Sequence, residues 1–292
     1  MNLTSIKEYR MGKMLGQGAY AIVREALHVE TGFRVAIKSY DKYKLNQNKN
    51  IKKSVQREIM VLGMLSSAEV ERYGEPEGSV LDRPRGHPSI MKLYDAIDTQ
   101  RHLYLVLENC EGEMLHGVVK EHAERALHSY RRCLPEGACA QIFYQIVLGM
   151  SYFHQLNISH RDIKLENILV DYKSLEKTTK IIDFGFAIQT KDAEEKLRTF
   201  CGTPAYMSPE LCKKKEYSGP ASDTWAAGVL LYTLLFGTQP FKARTEVELF
   251  KAINLGHYEL PKSSHPDFNA ESSPTAVAGQ ADQAPGSPKT KR

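Results

Sequence analysis

Alternation between apolar and polar positions is clearest near the start of the chain. Residues 9–26 alternate around the segment LGQGAYAIV, which predicts two strands joined by a glycine turn. Residues 91–97 and 102–107 read as two more strands. Between these pairs, an amphipathic helix is predicted to start at Ser54, because apolar residues recur at helical spacing. These residues are Val55, Ile59, Leu62 and Leu65.

A run of lysines precedes this helix and is interpreted as a solvated loop. The run comprises Lys42, Lys44, Lys49, Lys52 and Lys53.

Longer apolar patterns in the second half of the chain predict helices. One helix is predicted from Leu134 to about His154, a second opens at Asp223 with a long apolar run, and a third covers residues 245–255. Between the first two, the short apolar segment 168–170 and the segment IIDFG predict two strands. We expect these strands to pair as a hairpin.

Composition narrows the classes of protein that remain. The 292 residues are 42% hydrophobic and 25% charged, as in ordinary globular proteins. The net charge of +4 is too weak to indicate nucleic-acid binding. No apolar run follows Met1, and the run at 226–236 is too short to span a bilayer, so no signal peptide and no membrane association are expected. Five cysteines without a CxxC pair argue against disulfides or zinc and for a reducing compartment.

The segment HRDIKLEN, at residues 160–167, carries the most specific chemistry. Asp162 and Asn167 lie five positions apart, and Asp183 follows just beyond the predicted hairpin. The hairpin would bring these three side chains to one mouth. Carboxylate and amide oxygens suit hard cations such as Mg²⁺, which proteins often bind together with substrate phosphates. A second carboxylate is then free to accept a hydroxyl proton, and this set of roles fits phosphoryl transfer.

These residues resemble the catalytic and metal-binding loops of eukaryotic protein kinases, and Lys164 resembles the serine/threonine-specific subgroup. The resemblance implies that Asp162 is the catalytic base and that Asn167 and Asp183 hold Mg²⁺. It also implies that Lys164 touches the transferred phosphate. Thr203 resembles the threonine that hydrogen-bonds the base.

The same resemblance implies an ATP site in the first third of the chain. Lys38, in the segment VAIK, would hold the α- and β-phosphates and pair with Glu58. Gly16 and Gly18 would let the backbone approach the phosphates, and Ala21 replaces the third glycine of the family loop. The other implied ATP-binding residues are Leu15, Val23, Ala36, Glu108, Cys110, Glu113 and Leu169, with Glu108 and Cys110 in the hinge.

Residues 199–210, TFCGTPAYMSPE, resemble a kinase activation segment. Thr199 is the implied site of phosphorylation by an upstream kinase, and Arg161 would receive the phosphate. Glu113 and Glu166 would favour protein substrates with arginine upstream of the serine or threonine acceptor. Within the family, the closest resemblance is to the calcium/calmodulin-dependent group and its AMP-activated relatives.

The resemblance implies an α+β, two-lobed fold with a five-stranded small lobe carrying one helix and a mainly helical large lobe. We expect an N-terminal extension at 1–8, a small lobe at 9–107 and an incomplete large lobe at 108–262. An insertion is expected at 66–86 and a disordered tail at 263–292. We also expect a partner that covers the incomplete large lobe and a cytoplasmic or nuclear location. The alternative function is a weakly active or inactive kinase-like scaffold protein.

Overall fold

The computed structural model describes residues 5–67, 86–126 and 133–260. The chain divides into a compact unit, residues 1–259, and a second unit, residues 260–292, of which only Leu260 is described. The predicted tail, most of the predicted insertion at 66–86 and the first four residues of the predicted extension therefore lie outside the described residues.

A six-stranded antiparallel sheet forms the small lobe, in the order β1-β2-β3-β4-β6-β5. The sheet has one strand more than predicted, because the two-residue strand β1 pairs with the start of β2. The strands are β1 (Ser5–Ile6), β2 (Tyr9–Gln17), β3 (Ala21–His28), β4 (Arg34–Asp41), β5 (Leu93–Asp98) and β6 (His102–Glu108).

Two helices, α1 (Lys42–Gln47) and α2 (Lys49–Ser67), pack in the small lobe where the sequence predicted one. The prediction that the lysine run forms a loop is wrong, although four of its five lysines are exposed to solvent as expected. The predicted helix start at Ser54 is also wrong, because α2 begins at Lys49. The side chain of Asp41 accepts hydrogen bonds from the first turn of α1, and the side chain of Asn48 does the same for α2. Lysine is itself a good helix former, so these two caps extend helical structure through the basic run.

The large lobe is mainly helical, and a few two- or three-residue strands position its loops. Its helices are α3 (Leu115–Ala126), α4 (Glu136–Gln155), α5 (Pro209–Cys212), α6 (Gly219–Phe236) and α7 (Glu246–Leu255). Its strands are β7 (Glu113–Met114), β8 (Ile158–Ser159), β9 (Ile168–Val170), β10 (Thr179–Ile181) and β11 (Ile188–Gln189). The α+β, two-lobed fold class is thereby confirmed.

Helix α6 forms the centre of the large lobe and is apolar on most of its surface. It begins at Gly219, four residues before the predicted opening at Asp223, and ends where Gly237 adopts a left-handed conformation with φ 67°. Leu230 and Leu234 are fully buried. A helix that is apolar nearly all round has to be enclosed by other elements, and this rigid element can therefore anchor loops above it.

One apolar cluster continues through both lobes. It joins Ala36 of β4 and Leu62 of α2 to Ile142 of α4 and Leu230 of α6. None of the helices in the described ranges combines the length and apolar character needed to cross a bilayer.

Candidate active site

The predicted hairpin is present and brings the candidate residues together. Strands β9 and β10 pair antiparallel, with Ile168 opposite Ile181. Just beyond this pair, the backbone N–H of Ile182 donates to the carbonyl oxygen of Asn167 at 2.9 Å. Asn167 and Asp183 therefore lie at the same end of the hairpin, at the mouth that the spacing predicted.

Three side chains fix the carboxylate of Asp162. The hydroxyl of Thr203 donates to Oδ1 at 2.7 Å, and the ammonium of Lys164 lies 2.7 Å from Oδ2. The amide Nδ2 of Asn167 donates to Oδ2 at 3.1 Å and to the backbone carbonyl of Asp162 at 2.9 Å. Lys164 also donates to Thr203 Oγ1 at 2.8 Å. Lys164 and Asn167 of the same loop, and Thr203, which lies 41 positions further along the chain, thus orient the carboxylate of Asp162.

Asp223 anchors the loop from below. This buried residue of α6 accepts the backbone N–H groups of His160 and Arg161, both at 2.8 Å, and it also contacts His154 Nε2 at 3.0 Å. Arg161 has a φ of +66°, a left-handed conformation that costs a non-glycine residue about 1–3 kcal/mol. The two hydrogen bonds to Asp223 hold this conformation and hence the direction of the next residue, Asp162.

Lys38 and Glu58 form a close ion pair, with Nζ 2.7 Å from Oε1. Burial by itself would lower the pKa of Lys38, but the negative charge of Glu58, with a smaller contribution from Asp183, raises the pKa above its ordinary value. The side chain of Lys38 is therefore held as a cation. Sequence reasoning missed Tyr40, whose hydroxyl donates to the second oxygen of Glu58 at 3.0 Å.

The two candidate metal ligands are held in different ways. Asn167 is buried, and its amide nitrogen is committed to Asp162, which leaves its carbonyl oxygen for a cation. Asp183 is exposed and has a φ of 61°, and its carboxylate accepts the N–H of Gly185 at 3.3 Å. No group of three or more His, Cys, Asp or Glu that could hold a metal exists in the described ranges. Two oxygen ligands from the protein fit a Mg²⁺ site in which substrate phosphates would supply further ligands.

Helix α2 also contacts the loop of Asp183 directly, through two hydrogen bonds that sequence reasoning missed. The carbonyl oxygen of Gly185 accepts from Ser54 Oγ at 3.0 Å and from Arg57 Nη1 at 2.7 Å. Phe184, fully buried, lies in the same apolar cluster as Leu62. The position of α2 and the conformation of the loop are therefore coupled.

The residues expected to contact adenine are apolar and belong to the cluster that continues through both lobes. Ala36 is buried and pairs with Leu107 on β6, while Val23, Cys110 and Leu169 pack against the same cluster. Burial raises the pKa of the Cys110 thiol to about 12, so this hinge cysteine is a neutral wall residue.

The glycine turn is closed by a hydrogen bond from the N–H of Gly18 to the carbonyl oxygen of Ala21 at 2.8 Å. Ala21 begins β3 and is not among the residues with positive φ, so the replacement of the third glycine causes no backbone strain. Gly16 pairs with Val23 in the β2–β3 ladder, and Leu15 is half exposed.

An ion pair that the sequence did not indicate ties the hinge to β10. Both carboxylate oxygens of Glu108 lie 2.7 Å from Nζ of Lys180, a mostly buried residue. Glu113 lies beyond the hinge on β7, and it is exposed, as is Glu166. The structure therefore leaves these last two carboxylates free to meet a substrate from solvent.

Thr199 is exposed, and its backbone carbonyl accepts from the hydroxyl of Tyr217 at 3.0 Å. The buried guanidinium of Arg161 donates through Nε to the carbonyl of Phe186 at 2.8 Å, but its Nη1 has no hydrogen-bond partner among the described residues. Burial, followed by the charge of Arg161, lowers the pKa of Arg57. Arg57 and Arg161 thus donate to the carbonyl oxygens of two consecutive residues, Gly185 and Phe186, which brings two positive charges to the same loop.

Comparison with known proteins identifies a matching family model and two related sequences. The family model for the protein kinase domain matches residues 74–278. The SNF1-related protein kinase catalytic subunit alpha KIN12 of Arabidopsis thaliana is 36% identical over 256 residues, which is 88% of this chain and 45% of that protein. A probable serine/threonine-protein kinase of Dictyostelium discoideum is 33% identical over 268 residues, 91% of this chain and 28% of that protein.

The chain thus spans less than half the length of these curated relatives. The matched family model, by contrast, covers more than half of the chain and includes the whole loop from His160 to Asn167. The chain therefore belongs to the protein kinase family.

Proposed function

We propose that this chain transfers the γ-phosphate of ATP to serine or threonine hydroxyls of protein substrates. The observation that carries the proposal is the group of Asp162, Lys164 and Thr203, joined at 2.7–2.8 Å at the mouth where Asn167 and Asp183 meet. A positioned carboxylate beside a cation is what the deprotonation of a hydroxyl and the transfer of an anionic phosphoryl group require. The names of both relatives support the assignment to protein kinases.

Each residue has a distinct role in this proposal. Asp162 accepts the proton of the acceptor hydroxyl, and Thr203 keeps its carboxylate aimed at the acceptor. Lys164 stabilises negative charge on the transferred group, while Lys38 holds the phosphates that remain on the nucleotide. Asn167 and Asp183 would hold Mg²⁺, which when bound neutralises charge on the phosphates.

Replacing Asp162 by Asn tests the proposal. The substitution keeps the shape of the side chain but removes the proton acceptor, so turnover should fall by about 100-fold or more. Binding of ADP should stay within about twofold of wild type, because Asp162 contacts the acceptor and not the nucleotide. The measurement is Mg²⁺-dependent transfer of γ-labelled phosphate to a serine peptide, with ADP binding by calorimetry.

Asp171→Asn is the matched control, because Asp171 lies after β9 and its side chain accepts a local bond from Ser174. Persistent transfer in Asp162→Asn contradicts the assigned role. Nucleotide binding without any transfer by wild type would instead favour a kinase-like binding or scaffold protein.

Regulation by phosphorylation of Thr199 is part of the proposal. Because Thr199 is exposed, its hydroxyl is accessible to another kinase. Arg161 has a buried guanidinium nitrogen that lacks a hydrogen-bond partner among the described residues. A phosphate would satisfy this donor and relieve repulsion between Arg57 and Arg161. An upstream protein kinase is therefore the proposed activating partner, and the cytoplasm, with the nucleus as alternative, is the proposed location.

A preference for basic residues upstream of the acceptor is the finer part of the proposal. Its support is the exposure of Glu113 and Glu166, whose carboxylates can each pair with a guanidinium fork.

A further inference from the structure

Tyr40 and Lys38 together occupy both oxygens of one carboxylate. They are two residues apart on β4, so their side chains lie on the same face of the sheet. Lys38 Nζ lies 2.7 Å from Oε1 of Glu58, and the Tyr40 hydroxyl lies 3.0 Å from Oε2. Lys38 Nζ is also 5.5 Å from the centre of the Tyr40 ring. The three side chains form one compact group between β4 and α2.

This group is closed to solvent on the side of Tyr40. Tyr40 is 4% exposed, as is Glu58, and its ring belongs to the apolar cluster that includes Val55 and Leu62 of α2. Burial, followed by the charge of Glu58, raises the pKa of Tyr40, which keeps the hydroxyl protonated and able to donate. A buried hydroxyl without a partner is costly, so any displacement of Glu58 from this position is opposed by the loss of this bond.

We propose that Tyr40 is a positioning residue, whose hydroxyl holds Glu58 and helix α2 in the arrangement in which Glu58 orients Lys38 towards the nucleotide phosphates. The proposal rests on the proposed kinase function. Tyr40 does not touch the nucleotide in this scheme. It acts through Glu58, and its effect should therefore depend on the presence of the Glu58 carboxylate.

Helix α2 transmits this position to the metal-binding loop. Residues Ser54 and Arg57, within about one turn of Glu58, donate to the carbonyl oxygen of Gly185. Holding one carboxylate on α2 thus keeps both the phosphate-binding lysine and the loop of Asp183 in register. For this reason loss of the Tyr40 hydroxyl should change nucleotide affinity as well as turnover.

Tyr40→Phe removes the hydroxyl and leaves the ring. We expect ADP in the presence of Mg²⁺ to bind about tenfold more weakly, because a hydrogen bond to a charged group is lost. The KM for ATP should rise and kcat should fall, while circular dichroism stays close to wild type. Tyr104→Phe is the matched control, because Tyr104 lies on the neighbouring strand β6 and packs in the cluster on Met11 and Ile97. It should leave affinity and kinetics unchanged.

A double-mutant cycle separates this role from general packing. Calorimetry with MgADP is performed on wild type, Tyr40→Phe, Glu58→Met and the double variant. If Tyr40 acts through the carboxylate, the roughly tenfold loss of affinity seen with Glu58 present should shrink to about twofold or less in the Glu58→Met background, which offers no oxygen acceptor to the hydroxyl. Unchanged affinity in Tyr40→Phe, or an equal loss in both backgrounds, overturns the proposal.

Because this readout needs no phosphate transfer, it remains informative if the proposed kinase activity fails. An inactive wild type with an intact coupling between Tyr40 and Glu58 would refute the function and retain the positioning role.

Discussion

At the scale of single residues, the carboxylates of the candidate site differ in how many hydrogen-bond partners hold them. Oδ1 of Asp162 has one hydroxyl donor and Oδ2 has two nitrogen partners. By contrast, Glu113 and Glu166 are exposed. A carboxylate whose oxygens are occupied is suited to one fixed task, whereas an exposed carboxylate can select among partners. Substitutions at Glu113 and Glu166 should therefore change the choice of substrate, whereas substitutions around Asp162 should abolish phosphate transfer.

The peptide preference tests this distinction. In Glu113→Gln and Glu166→Gln the carboxylates are lost, so the preference for arginine upstream of the acceptor should weaken by about tenfold at one position for each variant. A positional peptide library, scored by kcat/KM, measures the effect. Glu176→Gln, on the exposed turn between β9 and β10, is the control and should keep the wild-type preference. An unchanged preference in both site variants, or selection of proline after the acceptor, contradicts the assignment.

At the scale of elements, helix α2 and the activation segment meet around the catalytic loop. Arg57 of α2 donates to Gly185 and lies near Arg161, while Tyr217 holds the backbone of Thr199. The two cations and the exposed Thr199 thus belong to three separate parts of the chain. An added phosphate is expected to tie these elements together.

Phosphorylation of Thr199 should therefore raise activity. We expect a gain of at least about tenfold, because a single hydrogen bond to a charged group contributes about 1.5–3 kcal/mol. Kinetics before and after phosphatase treatment, with mass spectrometry to locate the phosphate, measure the change. Thr199→Ala should abolish the gain, while Thr178→Ala, at an exposed position before β10, should retain it. Full activation of Thr199→Ala would remove this switch.

At the scale of the whole molecule, the two lobes are joined by more than the hinge. The main apolar cluster includes side chains of β4, α2, α4 and α6, and the ion pair between Glu108 and Lys180 connects the hinge to β10. Contacts of this kind couple the stability of one lobe to that of the other. The lobes should therefore unfold as one cooperative unit.

Unfolding in urea tests this expectation. Far-ultraviolet circular dichroism and the fluorescence of Trp225, a residue of α6, should follow one coincident transition. Lys180→Met leaves Glu108 without its cation and should lower the midpoint while keeping a single transition. Arg34→Met is the control, because the contact of Arg34 with Glu25 is exposed, and such contacts contribute about 0–1 kcal/mol. Two separated transitions in wild type would show that the lobes are independent.

Much of the site could be predicted from local sequence. The spacing of Asp162, Asn167 and Asp183 requires only a short hairpin, and the hairpin follows from β-branched runs close together in the chain. The start of helix α2 was predicted too late, because the apolar pattern used for the prediction begins only after the lysines. The helix begins earlier because the side chain of Asn48 caps its first turn. Local patterns therefore predicted which segments the structure brings together in the candidate site.

Tertiary structure alone decided which distant side chains support that chemistry. Ser54 meets Gly185 across 131 positions, and Asp223 reaches Arg161 across 62 positions. Tyr40 reads in the sequence as one more residue of a strand, because a period of two defines its face but not its partner. The partner depends on where α2 packs, and that is determined by the shared core rather than by neighbouring residues. The sequence by itself thus determined the reactive groups, and only packing decided what holds them in place.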